Sequence, residues 1–106
     1  MMKDAVLVLV TCASIKEADY IAGILLDKKL IACANILPGI RARFRWKGKI
    51  EKVREVLVVA KTRRYRFAAI DRQVRRVHSY EIPEIVALPI VSGSDKYLNW
   101  IAESLK

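Results

Sequence analysis

The chain has 106 residues, of which 54% are hydrophobic, and its 20 Lys and Arg exceed its 11 Asp and Glu to give a net charge of +9. This length is typical of one domain with its own core, so residues 1–106 are expected to form a single domain. Two cysteines, Cys12 and Cys33, are too few for a disulfide framework and favour a cytoplasmic setting. No apolar run approaches the roughly 18–20 residues that span a bilayer, so no membrane association is expected.

The first predicted elements are a strand and a helix. The apolar run AVLVLVT, residues 5–11, is typical of a strand that is buried on both faces. Ser14 and Glu17 then match the S-x-x-E capping box that begins a helix. Apolar residues follow at i, i+3, i+4 and i+7, which predicts an amphipathic helix to about residue 28. These residues are Ala18, Ile21, Ala22 and Leu25.

A long hairpin is predicted next. Pro38 and Gly39 interrupt an extended stretch, as a β-bulge does. Lys47 and Gly48 are expected at the hairpin tip, followed by a return strand over residues 49–61. Between bulge and tip, side chains alternate with the period of two that marks a strand. The alternating sets are Ala42, Phe44 and Trp46 against Arg41, Arg43, Arg45 and Lys47.

The remaining sequence predicts a helix, a strand and a helix. Residues 64–78 form a helix with Phe67, Ile70, Val74 and Val77 as its buried stripe, EIVALPIV at 84–91 forms a strand, and residues 94–105 form an amphipathic helix. The order is therefore β-α-β-β-α-β with a C-terminal helix, which is the α+β ferredoxin-like pattern. In that fold the last strand lies at a sheet edge. An edge this apolar favours aggregation unless another subunit covers it.

Several strings in the same order make the chain similar to the CutA family. They are KKLIACANILPG (28–39), RWKGKI (45–50), VVAKT (58–62), VHSYEIPEIVALPI (77–90) and YLNWI (97–101). The resemblance implies a homotrimer of ferredoxin-like subunits with an architecture like that of the PII signalling proteins. It also implies a role in divalent-cation tolerance, with weak binding of Cu(II) or another divalent cation and no obligatory cofactor. The hairpin departs from the family because its return strand, commonly acidic, carries Lys52 and Arg54.

His78, the one histidine of the chain, has more than one interpretation. It is either a helix-end residue hydrogen-bonded to a backbone carbonyl or a metal ligand beside the carboxylate of Glu81 or Glu84, with general-base catalysis as a third reading. The resemblance supports the metal reading, because the family's H-x-Y-x-x-P-E segment lines a cleft at the subunit boundary. It also implies a copper-binding cysteine near Cys12, which is otherwise a semi-buried thiol. Cys12 and Cys33 are too far apart to form the paired C-x2-C motif of a structural zinc site.

Aromatic and charged residues at element ends suggest a second kind of site. Trp46, Tyr80 and Trp100 either anchor packing or line a cleft between subunits. In the second case Lys61 would hold an anion in the cleft, with Glu84 nearby. The protein would then be a PII-like small-ligand sensor or assembly protein, an alternative that rests on analogy of fold.

Nucleic-acid binding and catalysis are the other functions to weigh. The basic strip of the hairpin is read either as a solvated strand face or as a surface for non-specific, salt-sensitive binding of nucleic acid. Specific RNA recognition is not expected, because the central strands AVLVLVT and VLVVAKT contain no aromatic residue on which bases stack. An enzyme is not expected either. TCASIKE after the first strand is not a phosphate cradle, and no P-loop or G-x-S-x-G is present.

Overall fold

A computed structural model describes residues 4–106 of the chain. Its strands are β1 (Ala5–Cys12), β2 (Cys33–Trp46), β3 (Lys49–Arg63) and β4 (Ile85–Pro89). Its α-helices are α1 (Ile15–Asp27), α2 (Phe67–Val77) and α3 (Asp95–Ser104). The order of elements and the α+β ferredoxin-like fold are those predicted from the sequence. No helix in residues 4–106 combines the length and the apolar character needed to cross a membrane.

The four strands form one antiparallel sheet in the order β2-β3-β1-β4. β1 is central, with Val8 opposite Ala60 of β3 on one side and Ala87 of β4 on the other. Helices α1 and α2 pack on one face of the sheet, where Ile21 and Ile70 contribute to the main core. β4 lies at an edge, as predicted.

The prediction that β1 is buried on both faces is wrong for a single chain. Its helix-facing residues, such as Val8 and Val10, are fully buried, whereas Leu7 and Leu9 on the opposite face are half-buried. The register places Leu88 beside Leu7 and Val86 beside Leu9, and both β4 residues are 43% exposed. The reason is that α1 and α2 cover only one face. We refer to the surface formed by Leu7, Leu9, Val86 and Leu88 as the open sheet face.

The beginning of α1 is fixed by the predicted capping box. The Ser14 hydroxyl accepts a hydrogen bond from the Glu17 amide at 3.1 Å, and the Glu17 carboxylate accepts one from the Ala13 amide at 2.9 Å. The predicted apolar stripe of the helix is buried. The cap therefore holds the Glu17 side chain beside the end of β1.

Strands β2 and β3 form a long hairpin with the predicted bulge between Leu37 and Ile40. At its tip, Lys47 and Gly48 have φ values of 51° and 80°, as a two-residue type I′ turn requires. β1 ends at Cys12, opposite Val56, so residues 40–55 continue beyond the sheet as a two-stranded ribbon. We refer to this ribbon as the hairpin arm.

Several boundaries differ from the predictions, including the end of β3, which reaches Arg63 instead of residue 61. α2 begins at Phe67 instead of residue 64, because Arg64–Arg66 form a separate 3-10 turn. The helix ends at Val77, and His78 is its extended C-cap. β4 ends at Pro89 instead of residue 91, because Pro89 already pairs with Val6 near the beginning of β1.

Candidate functional site

The candidate metal site lies where the end of β1, the first turn of α1 and the end of α2 meet. Cys12 is the last residue of β1, Glu17 belongs to the capping box of α1, and His78 caps the C-terminus of α2. Their candidate ligand atoms all lie within 4.8 Å of one another, the one such group of three found within residues 4–106. We refer to Cys12, Glu17 and His78 as the triad.

His78 is held by the backbone on both sides of its imidazole ring. Nε2 lies 2.7 Å from the carbonyl oxygen of Thr11, and because a carbonyl only accepts, Nε2 carries the proton. Nδ1 accepts a hydrogen bond from the Tyr80 amide at 3.0 Å. The side chain is fully buried. This geometry agrees with the helix-end interpretation of His78 and leaves neither ring nitrogen free.

Glu17 connects the two helices through its carboxylate. One oxygen accepts from the Ala13 amide and the other accepts from the Ser79 amide at 2.7 Å. The second oxygen also lies 3.8 Å from Nδ1 of His78. Burial acts to raise the pKa of Glu17, but the hydrogen bonds from Ala13 and Ser79, together with His78, outweigh it, so the net pKa is lowered. The ionised form is therefore the one that the fold stabilises.

Cys12 is a buried free thiol. Burial, followed by the negative charges of Glu17 and Glu55, raises the pKa of the Cys12 thiol to about 12. It is therefore protonated near neutral pH and is a poor nucleophile.

A second carboxylate, that of Glu55, extends the polar network to the hairpin. The Tyr80 hydroxyl donates a hydrogen bond of 2.8 Å to Glu55 of β3, which is only 6% exposed. Burial and then the hydrogen bond to Glu55 raise the pKa of Tyr80. The rings of Tyr80 and His78 also lie close, with centroids 4.9 Å apart. The triad is thereby linked to the hairpin arm.

The predicted metal ligands are brought together only in part. Cys12 and His78 are adjacent, but the carboxylate beside His78 is Glu17, whereas Glu81 and Glu84 are exposed and lie outside the triad. Glu17 was not predicted as a metal ligand, because its position in the capping box already accounted for a glutamate there. The sequence nevertheless contained a signal for Glu17. A glutamate in the first turn of a helix that directly follows β1 has to lie near the end of that strand.

A groove of about 470 Å³ separates the hairpin arm from residues 79–82. Its lining combines aromatic rings with two carboxylates. The lining residues are Phe44, Trp46, Glu51, Val53, Ser79, Tyr80, Glu81 and Ile82. We refer to it as the hairpin groove.

The five predicted cleft residues do not form one site within a single chain. Trp46 and Tyr80 line the hairpin groove, but Glu84 does not. Lys61 instead donates a hydrogen bond to Asn35 of β2. Trp100 stacks on Tyr97 of α3, with ring centroids 5.6 Å apart. The carboxylates of the groove are Glu51 and Glu81, and Lys61 is not among its lining residues.

Comparison with known proteins identifies the family. Residues 6–104 match the CutA1 divalent ion tolerance protein family. This chain belongs to that family. A divalent-cation tolerance protein CutA from Thermus thermophilus is 40% identical over 97 residues, which cover 92% of this chain and 94% of that protein.

Other relatives differ in length and in the location that their names give. The chloroplastic protein CutA of Arabidopsis thaliana is 37% identical, and the match covers 96% of this chain but 56% of that protein. The solved structure of the periplasmic divalent cation tolerance protein CutA from Archaeoglobus fulgidus has a TM-score of 0.93 and 42% identity, covering 96% of this chain and 99% of that one. The CutA fold therefore extends over nearly the whole chain.

Replacing Glu17 by Gln should destabilise the protein in a pH-dependent way. The Ala13 and Ser79 N–H groups bond to different oxygens of Glu17, and glutamine replaces one of these oxygens by an NH2 group that cannot accept, so we expect a loss of about 1–3 kcal/mol in the free energy of unfolding at neutral pH. Because the folded pKa of Glu17 is below its ordinary value of 4.5, the difference between wild type and variant should shrink as pH falls below that value.

Urea unfolding at fixed protein concentration, near neutral pH and at acid pH, would measure this difference. The matched control is Glu103→Gln, because Glu103 is exposed and pairs only with Lys106 at the surface. Its effect should stay within about 0.5 kcal/mol at both pH values. An equal effect of the two substitutions would contradict the role given to Glu17.

Proposed function

We propose that this protein acts in divalent-cation tolerance as a homotrimer that binds Cu(II) and similar divalent cations weakly at the triad. The observation that carries the metal assignment is the convergence of a thiol, an imidazole and a carboxylate within 4.8 Å. Sulfur and imidazole ligands suit copper and zinc better than hard cations such as Mg²⁺. The relatives named for divalent-cation tolerance support the biological role.

The hydrogen bonds of the triad explain why binding would be weak. An ion bound to Nδ1 of His78 replaces the hydrogen bond from the Tyr80 amide. An ion bound to Cys12 displaces the proton of a thiol whose pKa is about 12. Because only the thiolate is a good ligand, metal binding releases that proton. The loss of the Tyr80 hydrogen bond and the release of the Cys12 proton therefore both lower the affinity for the metal ion.

Calorimetric titration with Cu(II) under anaerobic conditions, with redox-inert Zn(II) in parallel, would test the triad. The affinity should rise about tenfold per pH unit between roughly pH 6 and 8, because the thiolate fraction of Cys12 rises tenfold per unit below its pKa. Cys12→Ser should abolish this rise and weaken binding about tenfold or more. Cys33→Ser is the matched control, and an identical titration of the two cysteine variants would reject the site.

The trimer is supported by the open sheet face and by the free edge of β4. The face presents leucine and valine side chains that are half-buried or more exposed in one chain. Contiguous exposed apolar surface and an unpaired apolar edge are both typical of association sites. A second and a third copy that cover these surfaces would complete the core on the side that α1 and α2 leave open.

Sedimentation velocity would test the assembly. The wild type should sediment with about three times the 12.1 kDa mass of the chain at micromolar concentration. Leu88→Lys should dissociate it, because a lysine on the open sheet face would bury an unpaired charge. Leu26→Lys is the matched control, since Leu26 on α1 has the same 43% exposure but lies on the helical side. A wild-type monomer would rule out the trimer.

The hairpin groove favours a second candidate function, the sensing of a small ligand. Its volume lies in the range typical of ligand pockets, which is about 300–1,000 Å³. Aromatic rings beside Glu51 and Glu81 suit an organic cation rather than the anion predicted from the sequence. The Lys47 ammonium already lies 5.6 Å from the centroid of the Trp46 ring, a distance typical of a cation–π contact.

Benzyltrimethylammonium is a suitable probe for the groove, with tryptophan fluorescence as the signal. We expect saturable quenching that weakens at least about threefold in Glu81→Gln, which loses a groove carboxylate, and stays unchanged in Glu84→Gln. Trp46→Phe should remove most of the signal, while Trp100→Phe should retain it. Equal quenching by the anion benzenesulfonate would contradict a cation site.

A non-catalytic role in the cytoplasm completes the proposal. Both ring nitrogens of His78 are engaged by backbone groups and Cys12 is protonated near neutral pH, which argues against a base or a thiolate nucleophile at the triad. Cys12 and Cys33 are free thiols, as a reducing compartment favours.

A further inference from the structure

Five basic side chains lie on the face of the hairpin arm that is turned away from the hairpin groove. Side chains alternate along a strand, so the arginines of β2 lie opposite to Phe44 and Trp46, which line the groove. The register places Arg54 directly across from Arg41, and Lys52 directly across from Arg43. We refer to this exposed set as the basic ladder, and its members are Arg41, Arg43, Arg45, Lys52 and Arg54.

The chain itself does not neutralise the basic ladder. Within residues 4–106, every ion pair involves other residues. Arg43 of the ladder donates a hydrogen bond to the carbonyl of Ala42 at 3.1 Å. Like charges that lie directly opposite each other destabilise a pair of strands. The ladder therefore holds two opposed cation pairs at a cost in stability that an anionic partner would relieve.

The geometry of the ladder favours a linear polyanion over a single small anion. Residues two apart on one strand are separated by about 6.6–6.8 Å, so the row of three arginines extends over roughly 13 Å. The second row lies about 5 Å away across the ribbon. Guanidinium groups bind phosphate oxygens through paired hydrogen bonds. A chain of regularly spaced phosphates would contact successive members of both rows.

We propose that the basic ladder binds the phosphate backbone of nucleic acid without reading its bases. Aromatic rings are the usual platforms on which bases stack, and the aromatic residues of the arm, Phe44 and Trp46, line the opposite face. The net charge of +9 adds a long-range attraction to the same partner. This inference is independent of the triad and of the hairpin groove.

Fluorescence anisotropy with a labelled single strand of about 20 nucleotides, and with its duplex, would test the ladder at several salt concentrations. We expect a wild-type Kd of about 10⁻⁴–10⁻⁶ M near physiological salt and weaker binding as salt rises. The variant R41Q/R43Q/R45Q should lose affinity about tenfold or more. Its slope of log K against log salt on the single strand should fall by about 2, which is 0.7 for each of three lost phosphate contacts.

The matched control is R72Q/R75Q/R76Q, which removes three charges from α2, where Arg72, Arg75 and Arg76 are exposed. It should keep affinity within about threefold, because it changes the net charge but not the ladder. Equal losses in the two triple variants would overturn the assignment to the ladder. No detectable binding by the wild type would overturn it as well.

Further variants and competitors test whether the effect of the ladder comes from charge alone, from a folding defect or from any anion. R41K/R43K/R45K keeps the charges, so it should keep the salt slope while losing the paired hydrogen bonds of arginine. The glutamine variant should unfold at the same or a higher temperature than the wild type, because opposed charges are removed. Polyglutamate, or vesicles of phosphatidylserine and phosphatidylcholine, competing as well as the oligonucleotide would overturn the choice of nucleic acid.

Discussion

The carboxylate of Glu17 joins three parts of the fold that are distant in sequence. It caps the chain entering α1 through the Ala13 amide and holds the chain leaving α2 through the Ser79 amide. That second contact positions His78 against the carbonyl of Thr11, at the end of β1. Each of these bonds engages a backbone group, so the arrangement follows the path of the main chain. The triad and the wall of the hairpin groove formed by residues 79–82 both depend on it.

The hairpin arm has two chemically different faces because its strands alternate strictly between tip and bulge. One face presents aromatic rings and carboxylates to residues 79–82, and the other presents the basic ladder to solvent. A chain with a net charge of +9 therefore carries a groove with two carboxylates on one face of the arm and five basic side chains on the other. The two proposed ligands of opposite charge would therefore meet different faces of the ribbon. The bulge between Leu37 and Ile40 marks where this arm leaves the sheet.

The local features of the fold were predictable because short-range chemistry decides them. The alternation around Phe44 predicted the hairpin, the Lys47-Gly48 pair predicted its tip, and the S-x-x-E pattern predicted the beginning of α1. The candidate sites were less predictable. Glu17 and His78 lie on different helices, so nothing in their spacing indicates that they are neighbours. Lys61 and Trp100, predicted to line one cleft between subunits, contact Asn35 and Tyr97 within a single chain.

The sequence by itself determined the order of elements, the edge position of β4 and the resemblance to the CutA family. These follow from periodicity, turn chemistry and strings of residues, all of which are read along the chain. Only the tertiary structure decided which carboxylate stands beside His78, which groups occupy its ring nitrogens, and that the groove is acidic. The physical reason is that these contacts join segments far apart in sequence. Sheet register and helix packing set their distances, and one histidine beside several glutamates is compatible with many such arrangements.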